Sequence, residues 1–370
     1  MDRKESGEGR MNQQKNPPRV AVVGTGSGCG KTTVVCALLQ AFCNRGLKAT
    51  SFKCGPDYID PMFHQKVIGT PSRNLDLFFC GEDTVRYLFC RAAADAEISV
   101  IEGVMGMYDG IGPDTQEASS NHLAMVTKTP EILVVNTRGM SLSAAALLSG
   151  YAQFAPNQLA GVIFNGSSAG MYPSYAKMAQ SLGLQPLGYF PVVPQASVES
   201  RHLGLVTAGE IENLKEKMML LAETAEKTLD LDGILQLAQS TVTLEYKKPS
   251  LPPLQQVSVR IGVALDEAFC FYYADSLRLL ERLGAEQIDS VLLEGGGTLN
   301  WSMLEAGLVQ RVQAYIAPKL LGGAGARSPV EGRGVEAPDQ AAHLRKVTVT
   351  ALGEDFLLEG EGDRDVYGTH

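Results

Sequence analysis

The sequence predicts an α/β fold: a mostly parallel sheet built around a phosphate-binding loop, followed by a smaller hybrid α/β region. Three observations predict it. A glycine-rich loop, GTGSGCGKTT at 24–33, lies between an apolar run and a helix-compatible stretch. Short apolar runs recur through the first half of the chain with helical stretches between most of them, which is the alternation of a parallel sheet. Those runs are continuous rather than alternating, as strands buried on both faces require.

Taken in order, residues 19–23 form the first strand and Lys31 to Asn44 the first helix. Further strands are expected at 49–52, 98–101, 132–135 and 159–164, with helices at 141–153 and 171–182. Residues 210–239 read as one or two helices. The segment 241–256 contains KKPSLPP and lacks periodicity, which marks a linker. A second unit then opens with a strand at 257–264 and a helix at about 274–283. A strand at 288–293 ends in Glu294 and three glycines, and apolar runs follow at 312–316, 347–349 and 356–358. Residues 1–18 have no hydrophobic stretch and read as a disordered leader, and 361–370 as a frayed polar tail. The domain expectation is therefore 19–240 for nucleotide binding, with the linker and a two-part remainder after it.

Composition narrows the function classes. The 370 residues suffice for two domains with cores of their own. A net charge of -9 argues against nucleic acid or an anionic membrane surface as the main partner, so an anionic substrate needs a local basic pocket. No apolar run approaches the roughly 18 residues of a membrane span. The seven cysteines show neither a disulfide framework nor paired metal-ligand spacing, which suits a reducing cytoplasm.

The chemistry begins at the loop. A phosphate cradle needs glycines so that backbone N–H groups can face oxygens, a helix starting at once, a lysine for the terminal phosphates and a hydroxyl for magnesium. Gly28, Gly30, Lys31 and Thr32, with Thr33 beside them, meet each need. The strict spacing places a glycine at position 25, where this chain has Thr25, so the loop is a variant form. Lys53 and Asp57 follow the second strand in FKCGPDYIDP, and Glu102 follows the next in SVIEGVMGMYDG. A carboxylate ending an apolar strand beside a phosphate loop is where a magnesium ligand is expected. Asp57, Asp60 and Asp109 also sit in turn sequences, and residue type alone leaves both readings open.

Several longer motifs carry a resemblance. KCGPDYIDPMFH, PSRNLD, IEGVMGMYDG, TRGMSLSAAAL and SRHLGL occur in this order, and 19–286 resembles the cobyrinic acid a,c-diamide synthase family. The resemblance implies a synthetase domain similar in fold to dethiobiotin synthetase, and ATP-dependent amidation of corrin carboxylates with ammonia. It implies that Lys31, Thr32 and the loop hold ATP, and that Thr32, Asp57 and Glu102 hold Mg2+. Lys53 would neutralise the substrate carboxylate, while Tyr58, Ile59 and Asp60 would shape the corrin site. Asp109 would serve the phosphorylated intermediate or the nucleotide, and Asn165 would read the adenine edge or cap a loop. One departure stands out: the family has Asp where this chain has Asn136. A cytoplasmic protein, with a homodimer allowed, is the expectation.

The second half departs further. RIGVALDEAFCFYYADSLRLLERLGAE, ending at Glu286, is similar to the start of that family's glutaminase domain. Such a domain needs a later nucleophilic cysteine with a histidine and a carboxylate, and no cysteine follows Cys270. The glutaminase, 257–286, is expected to be truncated. From 287 to 360 the chain resembles the end of the reductase domain of the riboflavin deaminase-reductase. That resemblance implies a remnant NADPH and pyrimidine site at Glu294, Gly296, Gly297 and Thr298, with NADPH use not expected because the earlier strands are missing. The join within LLERLGAEQIDS reads as a chimera. The alternatives are a pyrimidine reductase using NADPH and a non-catalytic P-loop ATPase.

Overall fold

In the computed structural model, Arg19–Gly24 forms β1 and is buried along its whole length. The structure describes residues 16–196, 208–247, 311–318, 341–353 and 355–362, with isolated positions 249, 276, 301, 304–305, 309, 330 and 335. The chain divides into two units, 1–288 and 289–370.

The first unit is strand–helix alternation about β1. After it come α1 (Lys31–Asn44), β2 (Ala49–Cys54), α2 (Ile59–Phe63), a π-helical turn (His64–Ile68) and β3 (Ser72–Leu75). Next are α3 (Glu82–Ala92), β4 (Ile98–Glu102), α4 (Ser120–Val126), β5 (Glu131–Asn136), α5 (Ser143–Gln153), β6 (Leu159–Asn165), α6 (Tyr172–Ser181) and β7 (Gln185–Phe190). Two helices close the unit, α7 (Ala208–Thr228) and α8 (Leu231–Gln239). Seven strands form one sheet in the order β3-β2-β4-β1-β5-β6-β7. Every pairing in it is parallel.

Both faces are covered, which explains the continuous apolar strands. Val20 and Val22 of β1 pack with α1, α7 and α8 on one face. Ala21 and Val23 pack with α3, α4, α5 and α6 on the other. Two strands escaped the sequence reading. β3, SRNL, is an edge strand of four residues, and β7, QPLGYF, is interrupted by proline and glycine. Neither presents an apolar run. Lys53 and Glu102, expected just beyond their strands, are instead the fifth residue of β2 and the last of β4.

Arg19 ties the amino edge of the sheet together. It is fully buried and donates to the carbonyls of Pro17, Thr127, Lys128 and Val242 and to Asn16 Oδ1. Residues 241–247 are irregular yet docked, with Leu244 in the core and Tyr246 against Tyr87. The expected leader lies outside the described residues up to position 15, as do the expected strands at 257–264 and 288–293.

In the second unit, β8 (Arg311–Ile316), β9 (Leu344–Leu352) and β10 (Asp355–Gly362) form a three-stranded antiparallel sheet in the order β8-β10-β9. These strands contain the three apolar runs expected there. Glu294, Gly296, Gly297 and Thr298 lie outside the described residues. Among the described residues no helix is long and apolar enough to cross a membrane.

Candidate functional site

A parallel sheet places its loops at the carboxyl edge of the strands, and the candidate residues collect there. The loop after β1 reaches α1 through Gly28 and Gly30, with φ of 74° and 99°. A Cβ at Gly30 would lie 2.0 Å from Asn165 Nδ2, so glycine is required on both steric and backbone grounds. Asn165, the last residue of β6, donates from Nδ2 to the Cys29 carbonyl at 2.8 Å. Its amide nitrogen braces the loop in this structure. The Tyr151 hydroxyl donates to the Thr25 carbonyl at 2.7 Å. The glycine that cannot be replaced near the start is Gly24, where a Cβ would meet Cys29 Sγ at 2.3 Å. The missing glycine at position 25 is thus accommodated by a residue anchored through its own carbonyl.

Lys31 is buried at the start of α1, and its ammonium donates to the Gly26 carbonyl at 3.0 Å and to the Met105 carbonyl. Burial lowers its pKa, against the pull of Cys29, Glu102 and Asp109. Met105 belongs to the loop after β4 and has a φ of 46°. Two backbone contacts fix that loop beside the first: Gly103 N–H donates to Val22 and Met107 N–H to Gly24. Asp109 Oδ2 accepts from the Gly106 N–H at 2.7 Å, which closes the turn.

The next layer is a charge cluster. Glu102 Oε1 accepts from Thr32 Oγ1 at 2.6 Å and lies 3.2 Å from Lys53 Nζ. Lys53 Nζ also lies 2.5 Å from Asp60 Oδ2 and 3.6 Å from Asp57 Oδ2. Burial alone would lower the Lys53 pKa, but Glu102, Asp60 and Asp57 outweigh it and raise the value. Burial and Glu102 raise the pKa of Asp60. Three carboxylates therefore surround one ammonium, and the cluster lacks positive charge.

His64 lies beneath this cluster on the π-helical turn and is fully buried. Its Nδ1 is 3.1 Å from Ser51 Oγ, and Ser51 donates its one hydroxyl proton to Ser72 Oγ at 2.7 Å. Ser51 Oγ must then accept from an Nδ1–H, which leaves Nε2 as a bare acceptor. That Nε2 faces Glu102 Oε2 at 3.6 Å, and neither atom has a hydrogen-bond partner. Burial pushes the His64 pKa down to about 4, opposed by Asp60 and aided by Lys53, so the ring is neutral at neutral pH.

The structure thus joins Thr32, Glu102, Lys53, Asp60 and Asp57 in one chain of contacts running from the phosphate loop. Asp57 meets it only through Lys53, and its Oδ1 accepts from the Ile59 N–H as in an Asx turn. Tyr58 is half-buried at the same turn and Thr33 is exposed. Sequence reasoning missed Ser51, His64, Ser72, Met105 and Tyr151. His64 falls inside the KCGPDYIDPMFH motif, so a signal was present. The others act through a hydroxyl or a carbonyl, which leaves no mark in a sequence. Among the described residues no group of three His, Cys, Asp or Glu is disposed to hold a metal by protein ligands alone. An Mg2+ shared with phosphate oxygens needs only one or two protein ligands.

The parallel sheet, the strand–loop–helix cradle and the buried lysine define a P-loop nucleotide-binding domain. Residues 20–202 match the CobQ/CobB/MinD/ParA nucleotide binding domain, and 221–358 match the RibD C-terminal domain. The chain is similar to cobyrinate a,c-diamide synthases. It is 40% identical to that of Listeria innocua over 280 residues, covering 75% of this chain and 62% of the relative. It is 41% identical to that of Thermoplasma volcanium over 274 residues, covering 73% and 59%. The chain therefore spans about 60% of the length of these relatives. Among solved structures, the MinD cell division protein of Aquifex aeolicus aligns with a TM-score of 0.37 at 14% identity, covering 62% of this chain and 99% of its own.

Proposed function

We propose that residues 19–240 form an ATP-dependent amidoligase domain that activates carboxylates of a corrin acid as acyl phosphates. The observation that carries this reading is the continuous contact from the phosphate loop through Thr32 and Glu102 to buried Lys53. That contact supports reading Lys53 as the cation for a substrate carboxylate beside the γ-phosphate, with the entering carboxylate taking the place of one of its present carboxylate partners. A carboxylate is a poor electrophile. One of its oxygens attacks the γ-phosphorus and ADP leaves. Ammonia then attacks the carbonyl carbon, loses a proton and expels phosphate, leaving the amide. Catalysis of this kind is mostly positioning and charge neutralisation.

Lys31 and the loop amides hold the phosphates in this reading, and Lys53 pairs with the entering carboxylate. Tyr58, Ile59 and Asp60 line its approach, and Asp109 holds the loop over Lys31. The residues also fit Mg2+, because Thr32 Oγ1 and Glu102 Oε1 lie together at the start of α1 and the carboxylates outnumber Lys53. Thr32, Glu102 and Asp57 would hold the ion, which supplies neutralisation of phosphate charge when bound. In this reading ammonia reaches the acyl phosphate from outside residues 19–240, the domain to which the ligase chemistry is assigned.

The test is ADP formation by the full chain with ATP, Mg2+, cobyrinic acid and ammonium. Turnover should depend on the corrin acid, and Lys31→Ala should reduce it at least a hundredfold. Glutamine should replace ammonium poorly, and equal rates would refute the external-ammonia reading. The match of 221–358 to the RibD C-terminal domain favours one second reading, a reductase using NADPH. A rise in melting temperature with NADPH but not with ATP would support it instead.

A further inference from the structure

We propose that Phe78 and Phe79 form the apolar platform on which the corrin macrocycle rests while one of its carboxylate arms reaches Lys53. The inference rests on the amidoligase reading and adds the part of the chain that holds the ring. Large apolar side chains at full display need a reason when they sit beside a polar site. Phe78 and Phe79 are 63% and 66% exposed, adjacent in sequence, and pack edge to face with centroids 5.0 Å apart and planes at 77°. The two rings make an L-shaped corner, one face and one edge, which suits the rim of a flat ring system.

The corner is built rather than loose. Asp76, only 6% exposed, accepts from the Phe78 N–H at 2.8 Å and the Phe79 N–H at 3.2 Å, and its carbonyl accepts from the Cys80 N–H. The turn is also tied to the charge cluster. Asn74 lies beside Lys53 in the register of β3 on β2. Its amide donates to the carbonyls of Gly55 at 2.9 Å and Asp57 at 2.7 Å. The segment that carries Asp57 and Asp60 and the segment that carries the two phenylalanines are thus held together at the carboxyl edge of the sheet.

Depth explains why such a platform is needed. Lys53 is 4% exposed, so only a slender carboxylate arm can reach it and the bulk of a macrocycle must stay outside. A ring system held outside gains affinity from the rim, and Phe78 and Phe79, with Ile59, are exposed apolar side chains on the two segments tied together at the cluster, alongside Met105 and Ile111 on the loop after β4.

The test uses the full chain, cobyrinic acid as the probe followed by its visible absorption, and the double variant Phe78→Ala with Phe79→Ala. Cobyrinic acid should bind the variant roughly ten- to a hundredfold more weakly than the wild type, as expected for two half-buried aromatic contacts. Phe78→Tyr with Phe79→Tyr keeps the ring faces and should bind within about threefold of wild type. The ATP-Mg2+ shift in melting temperature of each variant reports that the fold and the phosphate loop are intact. Equal binding by wild type and the double alanine variant overturns the platform alone. A wild type that is shifted by ATP-Mg2+ but binds no corrin acid overturns the amidoligase reading and the platform with it. Loss of self-association in the alanine variant with unchanged corrin binding assigns the rings to a protein contact and also overturns the proposal.

Discussion

At the scale of single residues, two of the buried acidic sites in the first unit are held in different ways. In the cluster around Lys53, the carboxylates are held by an ammonium and a hydroxyl. Glu131 is different. It opens β5 on the amino edge, is fully buried, and accepts one hydrogen bond, from the Gln158 N–H at 3.0 Å. Burial pushes its pKa from about 4.5 up to about 8, offset in part by that bond. The folded state therefore holds this proton more tightly than the unfolded chain. Its contribution to stability is full below about pH 4.5 and is lost as pH rises toward 8. At pH 7 the loss amounts to roughly 3 kcal/mol. Glu131→Gln should accordingly raise the stability measured by urea unfolding by about 3 kcal/mol or more at about pH 8, and have little effect near pH 5. An equal effect at both values would show that the carboxyl does not titrate on folding.

At the scale of elements, the loop between β1 and α1 depends on its neighbour β6. The tight approach of Asn165 to Gly30 and its bond to Cys29 make the two a single unit. Gly30→Ala should remove the ATP-Mg2+ shift in melting temperature, because it places a Cβ against Asn165 at a φ of 99°. Adding Asn165→Ala relieves the clash but not the backbone strain, so the double variant should remain unresponsive. Recovery of the shift would assign the whole effect to the clash. The loop was legible in the sequence because each of its requirements is met by a residue type, and five buried strands were legible as apolar runs. β3 and β7 were not. Their place in the sheet comes from pairing with β2 and β6, and sequences such as SRNL and QPLGYF carry no period of their own. The cluster was legible in part. Lys53 and Glu102 are charged groups at strand ends and Asp57 and Asp60 follow β2 in the same motif, whereas Ser51 and Ser72 lie in strands and act only through the geometry of His64.

At the scale of the whole molecule, the two units differ in how they bury apolar surface. The seven-stranded sheet is covered on both faces, and its strands have the continuous apolar character that such burial demands. The three-stranded sheet of the second unit has mostly exposed side chains among the described residues, including Tyr315, Val349 and Phe356. The nucleotide-binding match, 20–202, lies within the first unit, whereas the RibD C-terminal match, 221–358, begins within α7 and straddles the division at 288. The proposed chemistry belongs to the first unit, with attack of a substrate carboxylate on ATP as its central step. The most direct measurement is isotope transfer. Cobyrinic acid carrying a heavy-oxygen label in its carboxylates is turned over by the full chain with ATP, Mg2+ and ammonium, and the released phosphate is analysed by mass. The account predicts one labelled oxygen in phosphate for each amide formed, since the oxygen that attacked phosphorus leaves with it. Unlabelled phosphate released alongside amide would contradict the acyl phosphate and with it the role given to the site around Lys53.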